Sequence, residues 1–372
     1  MKRLLHYLIL ATLLLGVPYL CCVLCGRDEV LAGVLQFPPR TEDWGFHPER
    51  LWNVRHPFNW WWFLGMAAFT FVCVFPLVRR GWRMLKTLPR RSAVGKFPPW
   101  GWAGLALVAV AWTVTWSRFP CFRSCQAIIS YFPVWTGYIV TVNALCQWRS
   151  GRCPLTDHPL LYALTFPVSS LFWWFFEYLN RYVWNWYYLG IADMGAGEYT
   201  FYATLCFASV LPAVLSTAAL LGTFRFFDDG NYRNMARVNV RSLTSRVVLL
   251  VLSAVGLTGI VFFPEYAFPL LWISPLMVFV LVQILLKEPC ILDRLKEGSW
   301  GEVFRFEIAA LICGFFWETW NYYAYAKWVY AVPWVHGWQL WEMPFIGFAG
   351  YLPFGVECAA VLAWLYGKHW RK

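Results

Sequence analysis

Two glutamates, each followed three residues later by an asparagine, interrupt stretches that are otherwise apolar and aromatic. Glu318 and Asn321 lie in FFWETWNYYAYAKWVY (315–330), and Glu177 and Asn180 lie in WFFEYLNRYVWNWYY (174–188). The spacing puts carboxyl and amide on one helical face. A carboxylate at membrane depth costs roughly 2.5–3.5 kcal/mol or more, so each should turn inward and find a partner. The Asn amide is a candidate donor to its own or the other Glu. Arg181 is a candidate counter-ion for the first pair, and Lys327 a poorer one for the second. Two readings follow. One is a polar clamp between helices. The other is a polar floor beneath an outward-facing aromatic cavity, with Trp320 and Tyr323 among its walls.

Two more acids extend the second reading. Glu342 stands just before Pro344, a residue suited to the first turn of a helix. Glu357 lies 13 residues beyond Pro344, about 20 Å deeper at 1.5 Å per residue. An apolar site favours the protonated form of a carboxylic acid, which can then act as a proton donor. Glu318, Glu342 and Glu357 are therefore the candidate proton donors. Glu177, Asn180, Arg181, Asn321, Trp320 and Tyr323 are the candidate ligand-binding residues.

The elements that must position these residues are apolar helices. The chain has 372 residues, 60% of them hydrophobic and only 14% charged. A soluble domain carries about 25% charge, so this chain belongs in a bilayer. Its 26 Trp and 19 Tyr suit membrane interfaces. The net charge of +11 is spread in short blocks between apolar runs, which argues for orienting charge and against a nucleic-acid partner. The expected partners are membrane lipids.

Runs long enough to span a bilayer fall at about 4–25, 59–78, 99–117, 127–147, 159–180, 199–222, 247–264, 267–286, 304–323 and 344–366. With the N-terminus inside, 23 of the 31 basic residues fall on the inner side and eight on the outer. That predicts ten helices with both ends cytoplasmic. The short FPEYAF gap between the seventh and eighth runs is the weakest boundary. The first run resembles a signal peptide but lacks a clear cleavage site, so an uncleaved span is expected.

The glutamate pairs belong to a longer echo. Glu177/Glu318, Asn180/Asn321, Tyr182/Tyr323 and the Leu-Pro pairs at 211–212 and 352–353 share an offset of 141, while Trp135/Trp272 and Cys153/Cys290 share an offset of 137. Two copies of a four-helix unit would produce this, and an even number of spans makes the repeat parallel. The expected fold is an all-α polytopic bundle. Its parts are an N-terminal extension (1–98), copy A (99–222), a basic linker (223–242) and copy B with a basic tail (243–372). Glu357 has Ser216 as its counterpart.

No metal or haem site is expected. The 12 cysteines lie mostly in apolar runs, and the six histidines sit at run ends or in loops. Cys121 and Cys125 flank a short loop and are a possible disulfide. Phosphate-loop, HExxH and GxSxG motifs are missing, so no cofactor is called for.

WNYYAYAKWVYAVPWVHGWQLWEMPF (320–345) resembles the membrane-embedded lycopene cyclase type of carotenoid enzymes, in which a Trp-acidic helix end and a Pro-adjacent Glu recur in repeated units. Here Trp320-Asn321 replaces Trp-Asp, and Glu342-Met343-Pro344 replaces the paired acids. The resemblance implies an isoprenoid-like ligand. The sequence expectation is an inner-membrane protein of bacterial type that binds an apolar lipid or isoprenoid or, as a membrane-embedded enzyme, acts on it. A secondary transporter with parallel repeats, or a non-catalytic assembly subunit, is the alternative.

Overall fold

A computed structural model describes residues 2–34, 36–39, 56–85, 94–117 and 130–370. Cys121 and Cys125 lie outside the described residues. The chain is mostly helical, in the order α1 (Lys2–Leu24), α2 (Asp28–Val34), α3 (Trp60–Leu85), α4 (Pro99–Ser117), α5 (Phe132–Ser150), α6 (Pro154–Asp157) and α7 (Pro159–Val183). Next come β1 (Trp186–Leu189), α8 (Ala196–Phe207), α9 (Val210–Gly222), α10 (Leu243–Phe262), α11 (Pro264–Ala267), α12 (Ser274–Leu285) and α13 (Gly301–Tyr322). Strands β2 (Lys327–Tyr330), β3 (Gln339–Leu340) and β4 (Met343–Pro344) precede α14 (Tyr351–Tyr366).

Among the described residues, five helical segments are long and apolar enough to cross a membrane. They are Trp60–Met84, Pro159–Val183, Ala196–Gly222, Leu243–Phe262 and Phe345–His369. A sixth results if Pro264–Trp272 and Ser274–Leu285, bent by 46°, form one span. The bend falls at Ile273, beyond the FPEYAF gap, which itself holds the short helix α11. The other expected runs are helical too among the described residues, and polar residues interrupt some of them. In α13, for example, Glu302, Arg305 and Glu307 sit at one end and Glu318 and Asn321 near the other. Leu243, Val247, Leu250, Val251 and Val255 are exposed along α10, an apolar face suited to lipid tails.

Local chemistry sets several boundaries. The Asn59 carboxamide oxygen accepts from the N–H groups of Trp61 (2.9 Å) and Trp62 (3.3 Å), capping α3. Prolines occupy the first turns of α5, α7 and α12, where a missing N–H costs nothing. The run from 344 starts as a 3-10 turn (Phe345–Gly350) before α14. Pro353 thus falls in the first turn of α14, where its missing N–H costs nothing. A Cβ on Gly355 would stand 2.2 Å from the Phe306 carbonyl oxygen, so α14 and α13 need a glycine there to cross this closely.

The packing is crosswise. Trp135 of α5 lies against Trp317 of α13 with ring centroids 5.1 Å apart. Trp272, just before α12, stacks on Phe176 of α7 at 5.2 Å. Phe176 precedes Glu177 as Trp317 precedes Glu318. The ends of α7 and α13 are joined by a two-stranded antiparallel sheet. Trp186 faces Tyr330, Tyr187 faces Val329, Tyr188 faces Trp328 and Leu189 faces Lys327. Glu177 and Glu318 therefore sit at the same end of the bundle.

Candidate functional site

Each Glu-x-x-Asn element turns back on the strand that follows it. The Asn180 amide donates to the Trp186 carbonyl (2.9 Å), and its oxygen accepts from the Asn185 N–H (2.8 Å). The Asn321 amide donates to the Trp328 carbonyl (2.8 Å), and its oxygen accepts from the Trp328 N–H (2.9 Å). The asparagines thus hold backbone and do not donate to the glutamates. The reason is local: a strand leaving a helix end presents unpaired N–H and C=O groups that must be satisfied.

The glutamates hold aromatic side chains. The Glu177 Oε1 accepts from Trp173 Nε1 (3.2 Å), Trp186 Nε1 (2.9 Å) and Tyr188 OH (2.5 Å). The Glu318 Oε1 accepts from Tyr330 OH (2.7 Å) and Tyr351 OH (2.8 Å). Burial, reinforced by the adjacent glutamate, pushes the Tyr188 and Tyr330 phenols well above their usual range, so both remain donors. Both glutamates are buried, and neutral donors satisfy these oxygens.

The aromatics so held form the wall of a cavity of about 1000 Å³. Trp173, Trp186 and Tyr188 line it from one side, and Tyr330 and Tyr351 from the other. One face of α3 supplies a further wall through Trp61, Trp62, Gly65, Met66, Phe69 and Cys73, a stripe at helical spacing. The cavity is at the upper end of the usual size for a ligand site, roughly 300–1,000 Å³.

No family model, curated protein or solved structure matches this chain. Its chemistry must be read from the cavity and its surroundings.

The other singled-out residues occupy different environments. Arg181 is buried, with its guanidinium over Phe37 (5.6 Å) and Trp184 (5.7 Å). Lys327 pairs with Glu342 through a short contact; Lys327 lines the cavity. Trp320 is buried in an aromatic cluster with Trp135 (4.8 Å) and Phe316 (5.2 Å). Tyr323 is 47% exposed and meets Trp116 edge-on. Glu357 is fully buried, and among the described residues neither carboxyl oxygen has a hydrogen-bond partner. Its counterpart Ser216 instead sits in a polar knot, accepting from the Asn143 amide at 2.8 Å and meeting Tyr162 OH at 2.6 Å. The cavity brings together what Glu177 and Glu318 hold. It does not bring Glu318, Glu342 and Glu357 to one point.

Two functional features escaped the sequence reading. Glu307, in α13, lines the cavity, yet only its place in an apolar run could have marked it. The second had a readable signal. Trp-x-Tyr recurs at 186–188 and 328–330, and these are the residues that meet across the sheet and contact the glutamates.

Proposed function

We propose that this chain is a multi-pass membrane protein that binds an apolar, chain-like lipid or isoprenoid in the cavity between its two halves. One observation carries the reading. Two buried carboxylates each use one oxygen to orient aromatic side chains, Trp173, Trp186 and Tyr188 on one and Tyr330 and Tyr351 on the other, all of which line one cavity. Fixing large aromatic rings around a space, and not merely filling it, is what a preorganised apolar site requires.

The finer architecture belongs to the same proposal. All ten apolar runs span the bilayer, with both termini cytoplasmic, and 99–222 and 243–366 are two parallel copies. The crosswise Trp135–Trp317 and Trp272–Phe176 contacts and the reciprocal register of the strands support the duplication. Reporter fusions after residues 90, 235 and 372 test the topology: all three should report cytoplasm.

A catalytic version rests on Glu307. Among the described residues it is the acid in the cavity lining, whereas Glu318 lies behind Tyr330 and Tyr351. If the site protonates an alkene, as the resemblance of 320–345 to lycopene cyclases suggests, Glu307 is better placed than Glu318, Glu342 or Glu357. Extraction of the purified protein followed by mass spectrometry tests binding. A chain lipid should co-purify with the parent and be lost when Met66→Trp fills the cavity. Equal lipid in both would sink the proposal. Glu307→Gln then separates the two versions: a binder keeps its ligand unchanged, and an enzyme accumulates substrate.

A further inference from the structure

The cavity has a charged neighbour. A recess of about 360 Å³ is lined by Arg79, Arg80 and Arg83 of α3 together with Cys73, Pro76, Leu77, Met235, Ala236 and Trp300. Cys73 and Trp300 also line the large cavity, so the recess abuts one end of it. The two spaces share α3 as a common wall. Along that helix, Trp61 at the far end of the cavity is about 18 Å from Cys73, at 1.5 Å per residue. A long apolar slot therefore leads into a pocket that has, among the described residues, three guanidinium groups and no acid in its wall.

The three arginines differ in role. Arg80 donates from Nε to the Asn231 carbonyl (2.8 Å) and from Nη2 to the Arg233 carbonyl (3.2 Å). It ties α3 to the basic linker. The Trp300 indole donates to the Ala236 carbonyl (2.8 Å) and fixes the opposite wall. Arg79 and Arg83 are exposed and stand four residues apart on one helical face, where like charges repel by a few tenths of a kcal/mol. Orienting charge in a membrane protein requires basic residues somewhere in a cytoplasmic segment. It does not require three of them to line one recess opening on an apolar slot.

We propose that the occupant is a lipid with an exposed phosphate in its head, the phosphate held by Arg79 and Arg83 and the chain lying in the aromatic cavity. Guanidinium groups bind phosphate oxygens through paired, charge-assisted hydrogen bonds. A free anion would make no use of the slot, and an uncharged lipid would make no use of the arginines. The amphiphile satisfies both. Glu307 also faces the cavity but stands seven residues into α13 from Trp300, about 10 Å deeper, alongside the chain and not the head. This inference rests on the lipid-binding reading above and adds the head group to it.

The test uses the full-length protein in nanodiscs and photoactivatable lipids carrying a diazirine in one acyl chain. Phosphatidic acid should label peptides from α3 and α13. Arg79→Gln with Arg83→Gln should cut that labelling about tenfold or more, at about 1 kcal/mol per arginine. Same-chain diacylglycerol should label parent and variant alike, and weakly. Arg80 is left intact because it anchors the linker, and an unchanged melting temperature shows that the double variant is folded. Equal labelling by phosphatidic acid and diacylglycerol in the parent would overturn the head-group assignment and leave the lipid site standing. Failure of both lipids to label the cavity peptides would overturn the lipid site itself.

Discussion

Tyr187 lies opposite Val329 at the middle of the two-stranded sheet, and the pairs that flank it are reciprocal: Trp186 faces Tyr330, and Tyr188 faces Trp328. A Trp-x-Tyr strand thus meets a second Trp-x-Tyr strand head to tail. Each strand is held at its root by an asparagine, and its tyrosine is held by a buried glutamate. The pairing brings Glu177 and Glu318 to the same end of the bundle, as the proposed parallel duplication requires.

This arrangement predicts coupling between the asparagines. Asn180→Ala removes a donor to Trp186 O and an acceptor for Asn185 N–H, and Asn321→Ala removes the equivalent pair at Trp328. Each substitution should cost about 1–3 kcal/mol, because buried backbone groups lose their partners. Since the two strands pair with each other, the double variant should be non-additive by roughly 0.5–3 kcal/mol. A double-mutant cycle in urea checks it, and strict additivity would mean that the strands are held independently.

His336 makes the loop ahead of β3 sensitive to acid. Its Nε2 meets the Gln339 amide nitrogen at 2.8 Å; an NH2 group only donates, so the imidazole must accept and be neutral. Burial pushes this imidazole down to about 3 from its ordinary 6.5. The unfolded chain binds a proton as the pH falls through about 6.5, and the folded chain does not until about 3. The contribution to stability is thus complete above pH 6.5 and is lost progressively below it. Melting temperature measured from pH 7.5 to 5 should fall for the parent and fall less for His336→Gln.

Glu357 should be a liability to stability. It is fully buried in α14 with neither carboxyl oxygen bonded among the described residues, and a methionine would fill nearly the same volume. Glu357→Met should raise stability by about 1–3 kcal/mol, the cost of an unsatisfied buried polar group. Thermal unfolding in detergent reads this directly. A destabilised variant would mean that the carboxyl has a partner in the membrane-embedded protein.

Much of this was legible in the sequence, and for definite reasons. Apolar runs need helices in a bilayer, and all ten runs are helical among the described residues. The pairing of Glu with Asn on one face was legible because helical periodicity is local. What those side chains touch was not. Asn180 and Asn321 bind backbone that leaves the helix only after Val183 and Tyr322, and the Lys327–Glu342 pair depends on the turn between β2 and β4. An aromatic cavity was expected, but its α3 wall escaped because that helix comes from the segment that looked like an added extension. Its stripe of large side chains reads equally well as lipid-facing.

The last prediction separates the two roles open to Glu318. Its Oε1 accepts from Tyr330 and Tyr351 at 2.7 and 2.8 Å, and a glutamine carbonyl can accept both bonds with the same geometry. Glu318→Gln should therefore keep its stability within about 1 kcal/mol of the parent. Glu318→Leu removes the acceptor that both tyrosine hydroxyls donate to, at a cost of about 1–3 kcal/mol, and loosens two rings of the cavity wall. If the residue only orients the wall, the Gln variant retains its co-purifying lipid and the Leu variant loses it. If the acid itself takes part in binding or proton transfer, the Gln variant also loses lipid or activity while remaining folded. The hydrogen bonds favour the first outcome, because the tyrosines stand between Glu318 and the cavity. A Gln variant that melts like the parent yet carries no lipid would reverse that assignment.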